Sequence, residues 1–440
     1  MTASRAATTS VTQWRNWAGN QQASARVARP HSLEELASII GAAAAGGERV
    51  KAVGSGHSFT DIAVTDGVRV DLGALPGPVD VDREHRRVTV PAGMTLATLN
   101  ALLATHGLAL PNLGDIDAQT IAGAISTGTH GTGAAYGCLS TFVVGLTLVT
   151  GAGEVVRSDA EAAPEVFGAA RVGLGALGVL TEVTLQCVDA FTLRAHERPG
   201  RLADVLTDWP ALVADNDHCD LYWFPYTDRV QVKTNNRVPA DDRPLPGWRG
   251  WLDDDFLANT VFAGACRLGR AVPAAVGPIN AVSARALTER VYTGRSDAVF
   301  CTPRRVRFTE MEYGLPRDAF PTMLGELPRL VEALPFKVQF PVEVRFTAAD
   351  DIPLSHGYGR DSVYVAVHQF AGAPYEPYFR AVENLARDLG GRPHWGKLHY
   401  RDAESLRPVY PRFDEFVALR DRLDPHRVFA NAYTERVLGS

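Results

Sequence analysis

Two glycines and a histidine are set close together in Gly54-Ser55-Gly56-His57-Ser58-Phe59, directly after the short apolar run Val50-Lys51-Ala52-Val53. Glycines that follow a strand expose backbone N–H groups that can form a nest for a diphosphate, and histidine adds a nucleophilic ring nitrogen. The run has neither the GxGxxG of a dinucleotide Rossmann loop nor the GxxxxGK of a P-loop, and the same spacing would serve as a tight structural turn. A second glycine-rich stretch runs from Pro111 to Gly133 and ends in Ser126-Thr127-Gly128-Thr129-His130-Gly131-Thr132-Gly133. It is long, poor in charge and without a period that would bury it, so it is expected to be a loop with something filling its concave side. Further on, Glu343-Val344-Arg345 has the strand period of two, which puts the carboxylate and the guanidinium on one face. That pair reads as a polar pocket or as a cross-strand surface ion pair.

The elements that must position these groups are marked in the sequence. Ser32 and Glu35 form a capping-box pattern ahead of the stripe Leu33, Leu36, Ile39 and Ile40, and Gly46-Gly47 ends it, which predicts a helix. Strands are expected at Val50–Val53, Val68–Leu72 and Arg87–Val90, followed by a helix capped by Thr95 that leaves at Gly107. Val143–Val149 and Glu154–Arg157 predict a hairpin about Gly151-Ala152-Gly153, and Gly173–Gly178 leads into a strand over Val179–Cys187. From about residue 191 to 395 longer alternating strands, among them Arg305–Tyr313 and Val338–Phe346, predict an antiparallel sheet with one polar face. Phe413–Leu423 reads as a helix, Arg427–Tyr433 as extended, and Pro239–Gly250 as the most loop-like insertion.

A chain of 440 residues predicts more than one domain. The net charge of −6 disfavours nucleic acid or an anionic membrane as the main partner. The start, Met1-Thr2-Ala3-Ser4-Arg5, has no signal-like apolar stretch, and the expected compartment is the cytoplasm. Five widely spaced cysteines without a CxxC pair or a Cys/His grouping predict small buried hydrophobes, with neither a disulfide framework nor a bound metal.

Gly54-Ser55-Gly56-His57-Ser58-Phe59, Gly128-Thr129-His130-Gly131-Thr132-Gly133, Gly173-Leu174-Gly175-Ala176-Leu177-Gly178, Glu343-Val344-Arg345 and His394-Trp395-Gly396-Lys397 together resemble, in order and spacing, the sugar-lactone oxidoreductases of the vanillyl-alcohol-oxidase flavoprotein family. The resemblance spans nearly the whole chain. It implies an α+β, two-domain FAD-binding PCMH-type fold with a substrate domain built on a large antiparallel sheet. Residues 1–190 would bind FAD, 191–395 would bind substrate, and 396–440 would return to the FAD domain. His57 would bond the flavin covalently, while Gly54, Ser55, Gly56, Ser58, Gly114, Gly123, Ser126, Gly128, Thr129, His130, Gly131, Gly133, Val179 and Lys397 would contact the cofactor.

The implied reaction takes hydride from a carbinol of an aldono-1,4-lactone, such as L-gulono-1,4-lactone with ascorbate as the eventual product, or from a polyol such as xylitol. Hydride transfer leaves negative charge on the flavin and a proton on a base, so cations and an acceptor are needed. Arg345 and Lys397 would be the cations, Glu343 would accept substrate hydroxyls, and His368 in Ala366-Val367-His368-Gln369 would be the leading base. Alditol oxidases carry a histidine where this chain has Ala366, and a serine where it has Asp115, which favours a lactone. Asp115, Glu312 and His394 would contact substrate. Gly114 would leave oxygen a path to the flavin, so that O2 or another acceptor takes the electrons.

Overall fold

The stripe beginning at Leu33 folds as the helix Leu33–Gly46, with Ser32 capping the Glu35 N–H and Gly47 closing it in the left-handed region at φ +67°. Glu35 reaches one residue beyond the expected capping box, accepting from the His31 N–H at 2.8 Å. The computed structural model describes residues 11–239, 259–302 and 304–440. The N-terminal five residues and the insertion beyond Pro239 lie outside the described residues.

Four short strands, Val11–Arg15, Gln22–Ala28, Val68–Val70 and Val50–Ala52, form one sheet in that spatial order, the last two paired in parallel. A five-stranded antiparallel sheet, Asp80–Asp82, Arg87–Pro91, Val179–Gln186, Val143–Val149 and Val155–Asp159, stands beside it. The expected hairpin is its edge. Within the stretch read as one long loop, Thr120 caps a six-residue helix, Ile121–Ser126, whose Ile121, Ala124 and Ile125 are buried. Its small residues hide the period that larger apolar side chains would have shown.

From Thr192 an eight-stranded sheet begins, antiparallel throughout. In spatial order it is Arg290–Arg295, Thr192–Arg201, Arg229–Val238, His218–Trp223, Val342–Thr347, Ser362–Phe370, Phe308–Pro316 and Arg392–Pro393. One face carries Leu221, Trp223, Val344, Phe346, Val363, Val365, Val367, Met311 and Tyr313, all buried beneath the helices Leu202–Ala214, Phe320–Glu332 and Glu376–Asp388. Each such large side chain contributes about 1.5–3 kcal/mol on burial. Because the period is two, every residue between them points to the opposite face, which is the polar one.

The end of the chain departs from expectation. Phe413–Leu423 is helical as predicted, but Asn431 and Thr434 form a capping box that starts a second helix, Ala432–Leu438. The Val50 N–H donates to the Val428 carbonyl, so this segment abuts the first sheet. The five cysteines are unpaired, four of them buried and Cys301 half-buried.

Candidate active site

The strand Val50–Ala52 delivers Gly54–Ser58 to the wall of a cleft with about 270 Å³ of free space. A Cβ on Gly54 would stand 2.2 Å from Thr120 Oγ1, and Gly56 has φ +72°, so both positions need glycine. Of the predicted cofactor residues, Gly54, Ser55, Gly56, His57, Ser58, Gly123, Ser126 and Val179 line this cleft. The opposite wall comes from the five-stranded sheet and from Gly175 and Gly178. Its glycine-lined walls and near absence of charge fit a large, mostly apolar ligand that is touched by backbone.

His57 stacks on Trp17 with ring centroids 5.7 Å apart. Burial, and then the neighbouring Lys397, push its pKa below the usual histidine range. A neutral imidazole keeps a nitrogen lone pair available for bonding.

The structure places Gly128, Thr129, His130 and Gly133 away from the cleft wall, in a seam between the glycine-rich stretch and the large sheet. The Gly133 N–H donates to the Phe346 carbonyl at 2.6 Å, and Thr132 Oγ1 accepts from the Phe346 N–H at 3.2 Å. At Gly128, φ is +71° and the His356 ring lies where a Cβ would be. A Cβ on Gly131 would meet the Leu113 carbonyl oxygen at 2.1 Å. Gly114 and Gly131 instead line a small polar cavity with Asp115, Asp220, Tyr222, Arg304 and Arg345.

On the polar face of the sheet, register does what sequence distance conceals. Asp220 lies opposite Arg345, and Tyr222 opposite Glu343. Arg345 and Glu343 lie opposite Tyr364 and Ala366, and Ala366 and His368 lie opposite Glu312 and Glu310. Directly paired residues share a face, so these groups form one patch. Arg345 is in ion-pair contact with Glu343, with Asp220 at 3.1 Å and with Asp115 at 3.6 Å. Arg304 reaches Asp115 at 2.8 Å, and the Tyr222 hydroxyl donates to Glu343 at 3.1 Å.

Despite burial, Arg345 and Arg304 hold the Asp115 carboxyl well below the usual range. Burial pushes Glu343 up in spite of Arg345. Two carboxyl groups in one cluster thus have opposite tendencies, which separates a fixed charge from a group able to exchange a proton.

A second cluster flanks Ala366 on the other side. Lys397 is paired with Glu310, which also receives His368 Nε2 at 3.4 Å. Burial opposes ionisation of Glu310, but Lys397 and His368 together bring its pKa down to about 2. His368 Nδ1 is buried without a hydrogen-bond partner, which leaves it open as an acceptor.

His130 Nδ1 faces the Gly131 carbonyl at 2.9 Å, and its Nε2 faces Glu312 at 3.2 Å. With His394, these groups set three ligand-type atoms within 4.8 Å of one another, a density a metal ion could also use. Burial, and then the neighbouring His356, lower the His394 pKa well below the usual histidine range.

The loop carrying His394 and Lys397 is hung on the strand Phe308–Pro316 by His394 N–H to Glu312 O and Leu398 N–H to Glu310 O, both 2.9 Å. It is tied to the cleft loop by Phe59 N–H to Gly396 O at 2.7 Å. The histidine loop and the polar face are therefore adjacent by construction. Sequence reasoning missed Glu310, Asp220, Tyr222 and Arg304. Glu310 could have been found, since it stands two residues before Glu312 on one strand.

A cleft between two smaller sheets, joined through Phe59 and Gly396 to the loop on the polar face of the large sheet, together with the likeness to FAD binding domains, makes this a PCMH-type FAD-binding fold. The fold matches a cholesterol oxidase from B. sterolicum with TM-score 0.82 at 19% identity, covering 98% of this chain and 97% of that one. Residues 24–159 match the FAD binding domain model and residues 183–437 the D-arabinono-1,4-lactone oxidase model.

The chain is 46% identical to the L-gulono-1,4-lactone dehydrogenase of Mycobacterium tuberculosis over 97% of its own length and 99% of the relative's. It is 36% identical to the L-gulonolactone oxidase of Bos taurus, over 93% and 94%. It belongs to the D-arabinono-1,4-lactone oxidase family of FAD-dependent oxidoreductases.

Proposed function

We propose that the protein oxidises the C2 carbinol of an aldono-1,4-lactone of the L-gulono type. FAD would lie in the cleft, attached through His57. The observation that carries this reading is the floor at Ala366. A methyl-sized side chain lies in register between Glu343 and Glu312, with Arg345 on one side and Lys397 with His368 on the other. A flat ring laid over that small residue would have carboxylates on both sides to meet its hydroxyls. The names of the relatives support the same substrate class.

Bound FAD supplies the hydride acceptor. Glu343 accepts substrate hydroxyls, Arg345 and Lys397 offset the charge that develops as hydride departs, and His368 Nδ1 takes the hydroxyl proton. Asp115, itself held by Arg304, and Asp220 hold Arg345 in place, while Glu312 and His394 close the far side. Gly114 lines the small cavity beside Arg345, and a path there would pass electrons to O2 rather than to a larger acceptor. With L-gulono-1,4-lactone the keto product rearranges to ascorbate. Unpaired cysteines suit a reducing compartment, and we place the reaction in the cytoplasm.

Stopped-flow mixing with L-gulono-1,4-lactone and with xylitol tests the reading. Bleaching by the lactone and return of colour in air supports it. Bleaching by xylitol alone transfers the protein to polyol oxidation, and slow return in air with fast return on adding a dye makes it a dehydrogenase.

A further inference from the structure

Gln231, Tyr222, Glu343, Ala366 and Glu312 stand in one row across the polar face, each in direct register with the next. Tyr222 is therefore behind Glu343, on the side away from the Ala366 floor. Its strand, His218–Trp223, is anchored from the opposite face by Leu221 and Trp223, both buried. In the adjoining row Asp220 lies opposite Arg345 and accepts from its Nε at 3.1 Å. One strand thus gives an orienting partner to each member of the Glu343–Arg345 pair.

The two oxygens of Glu343 are used unequally. Tyr222 donates to Oε1 at 3.1 Å, and the Arg345 guanidinium meets the same oxygen. Those two donors fill the lone-pair directions of Oε1 and leave those of Oε2. Among the described residues no hydrogen bond falls on Oε2, and it is not one of the unpartnered atoms that burial seals off. The phenol itself has no competing use. Gln231, its neighbour on the other side, donates to Glu197 at 2.9 Å. Burial, and then the carboxylates of Glu343 and Asp220, push the Tyr222 hydroxyl well above the usual phenol range, so it remains a donor.

We infer that Tyr222 is the positioning residue of Glu343: its hydroxyl, with Arg345, holds Oε1 and so turns Oε2 over Ala366 to accept a substrate hydroxyl. This rests on the lactone lying over that floor. A hydrogen bond donated to the carboxylate also favours its charged form, against the burial that raises its pKa. Of the other groups that face Glu343, Arg345, Arg304 and His368 favour ionisation and Asp115 opposes it. Asp220 and Glu312 flank it in the neighbouring register positions. None of these is altered when only the phenol oxygen is removed.

The test uses the flavin-loaded full chain with Tyr222→Phe, which keeps the ring and loses the hydroxyl. Stopped-flow reduction by L-gulono-1,4-lactone from pH 5 to 9 separates half-saturation from the limiting rate. At pH 7 half-saturation is expected to rise about tenfold while the limiting rate stays within about threefold. The acid limb of the affinity profile should move up by about one pH unit. Infrared titration of the unreacted protein reads the carboxyl without turnover. The protonated-carboxyl band that Glu343→Gln removes should have its midpoint about one pH unit higher in Tyr222→Phe. Adding Tyr222→Phe to Glu343→Gln should leave the pH profile where Glu343→Gln put it.

An unmoved limb or an unmoved infrared midpoint overturns the inference. So does a fall in limiting rate as large as that in affinity with the limb in place, since that would make Tyr222 a residue of the packing alone. If Glu343→Gln also binds the lactone as the parent does, the failed premise is the placing of substrate hydroxyls on Glu343; if it does not, the fault lies with Tyr222.

Discussion

Replacing Arg345 by methionine removes the side chain that touches Glu343, Asp220 and Asp115 together. Asp115 retains Arg304 at 2.8 Å, so the stranded charges are those of Glu343 and Asp220. Breaking a buried ion pair from one side costs about 3–5 kcal/mol, and that is the destabilisation expected in urea unfolding at pH 7.

The deficit should depend on pH. Burial already raises the Glu343 carboxyl, and loss of Arg345 raises it further. A carboxyl whose folded pKa lies above its unfolded value, about 4.3, imposes a penalty that is full above the folded pKa and vanishes below the unfolded one. The Arg345→Met deficit should therefore shrink as pH falls from 8 to 5. Adding Glu343→Gln should restore part of the lost stability at pH 7, because one uncompensated carboxylate is gone. Arg345→Lys should recover little, since a point charge cannot fork to several carboxylates. A deficit flat from pH 5 to 8, together with a double variant no more stable than Arg345→Met, would refute the reasoning.

His57→Ala should fold yet release its flavin on acid precipitation, whereas the parent protein should keep its colour in the pellet; a colourless parent pellet ends the covalent reading. Gly114→Ala places a Cβ about 3.1 Å from the His130 carbonyl oxygen and should slow reoxidation of the reduced flavin by air about tenfold, roughly 1.4 kcal/mol of barrier. Its reduction by lactone should stay near the parent rate, and unchanged reoxidation would remove Gly114 from the oxygen path. Glu310→Gln strands Lys397 and should cost about 3 kcal/mol at pH 7. Because the Glu310 pKa is depressed to about 2, its contribution is present above about pH 4.3 and is lost as pH falls to that depressed value. The gap between variant and parent in urea unfolding should thus close in acid.

What the sequence displayed was local. Ser32, Thr95 and Gly47 mark helix ends through their own backbone chemistry, and each is found at its helix end or beside it. The Gly54–Ser58 loop was visible because glycines forced by a close approach stand out from their neighbours. The helix Ile121–Ser126 was hidden, since alanine, glycine and serine carry no hydrophobic period. Long-range register was hidden too. Asp220 and Tyr222 join Arg345 and Glu343 only because two strands more than a hundred residues apart pair at one offset, and no local pattern encodes that offset. The glycines at 128, 131 and 133 illustrate the converse, for they are explained by packing against His356, Leu113 and Asp217 as fully as by contact with a cofactor.

The last helix and the turn before it bear on when the protein can be loaded. Phe429 forms part of the cleft wall, Asn431 donates to the carbonyls of Asp61, Ile62 and Val64, and the Tyr433 hydroxyl donates to Trp395 O beside the Lys397 loop. A ribosome releases these residues long after Gly54–Ser58 has emerged. Domains ordinarily fold as units in order of emergence, but here a cradle made early is finished by residues made much later. The cleft is consequently walled only once this segment has folded back onto the first sheet, and unfolding the helix Ala432–Leu438 should loosen the wall at Phe429 and the turn at Asp61–Val64.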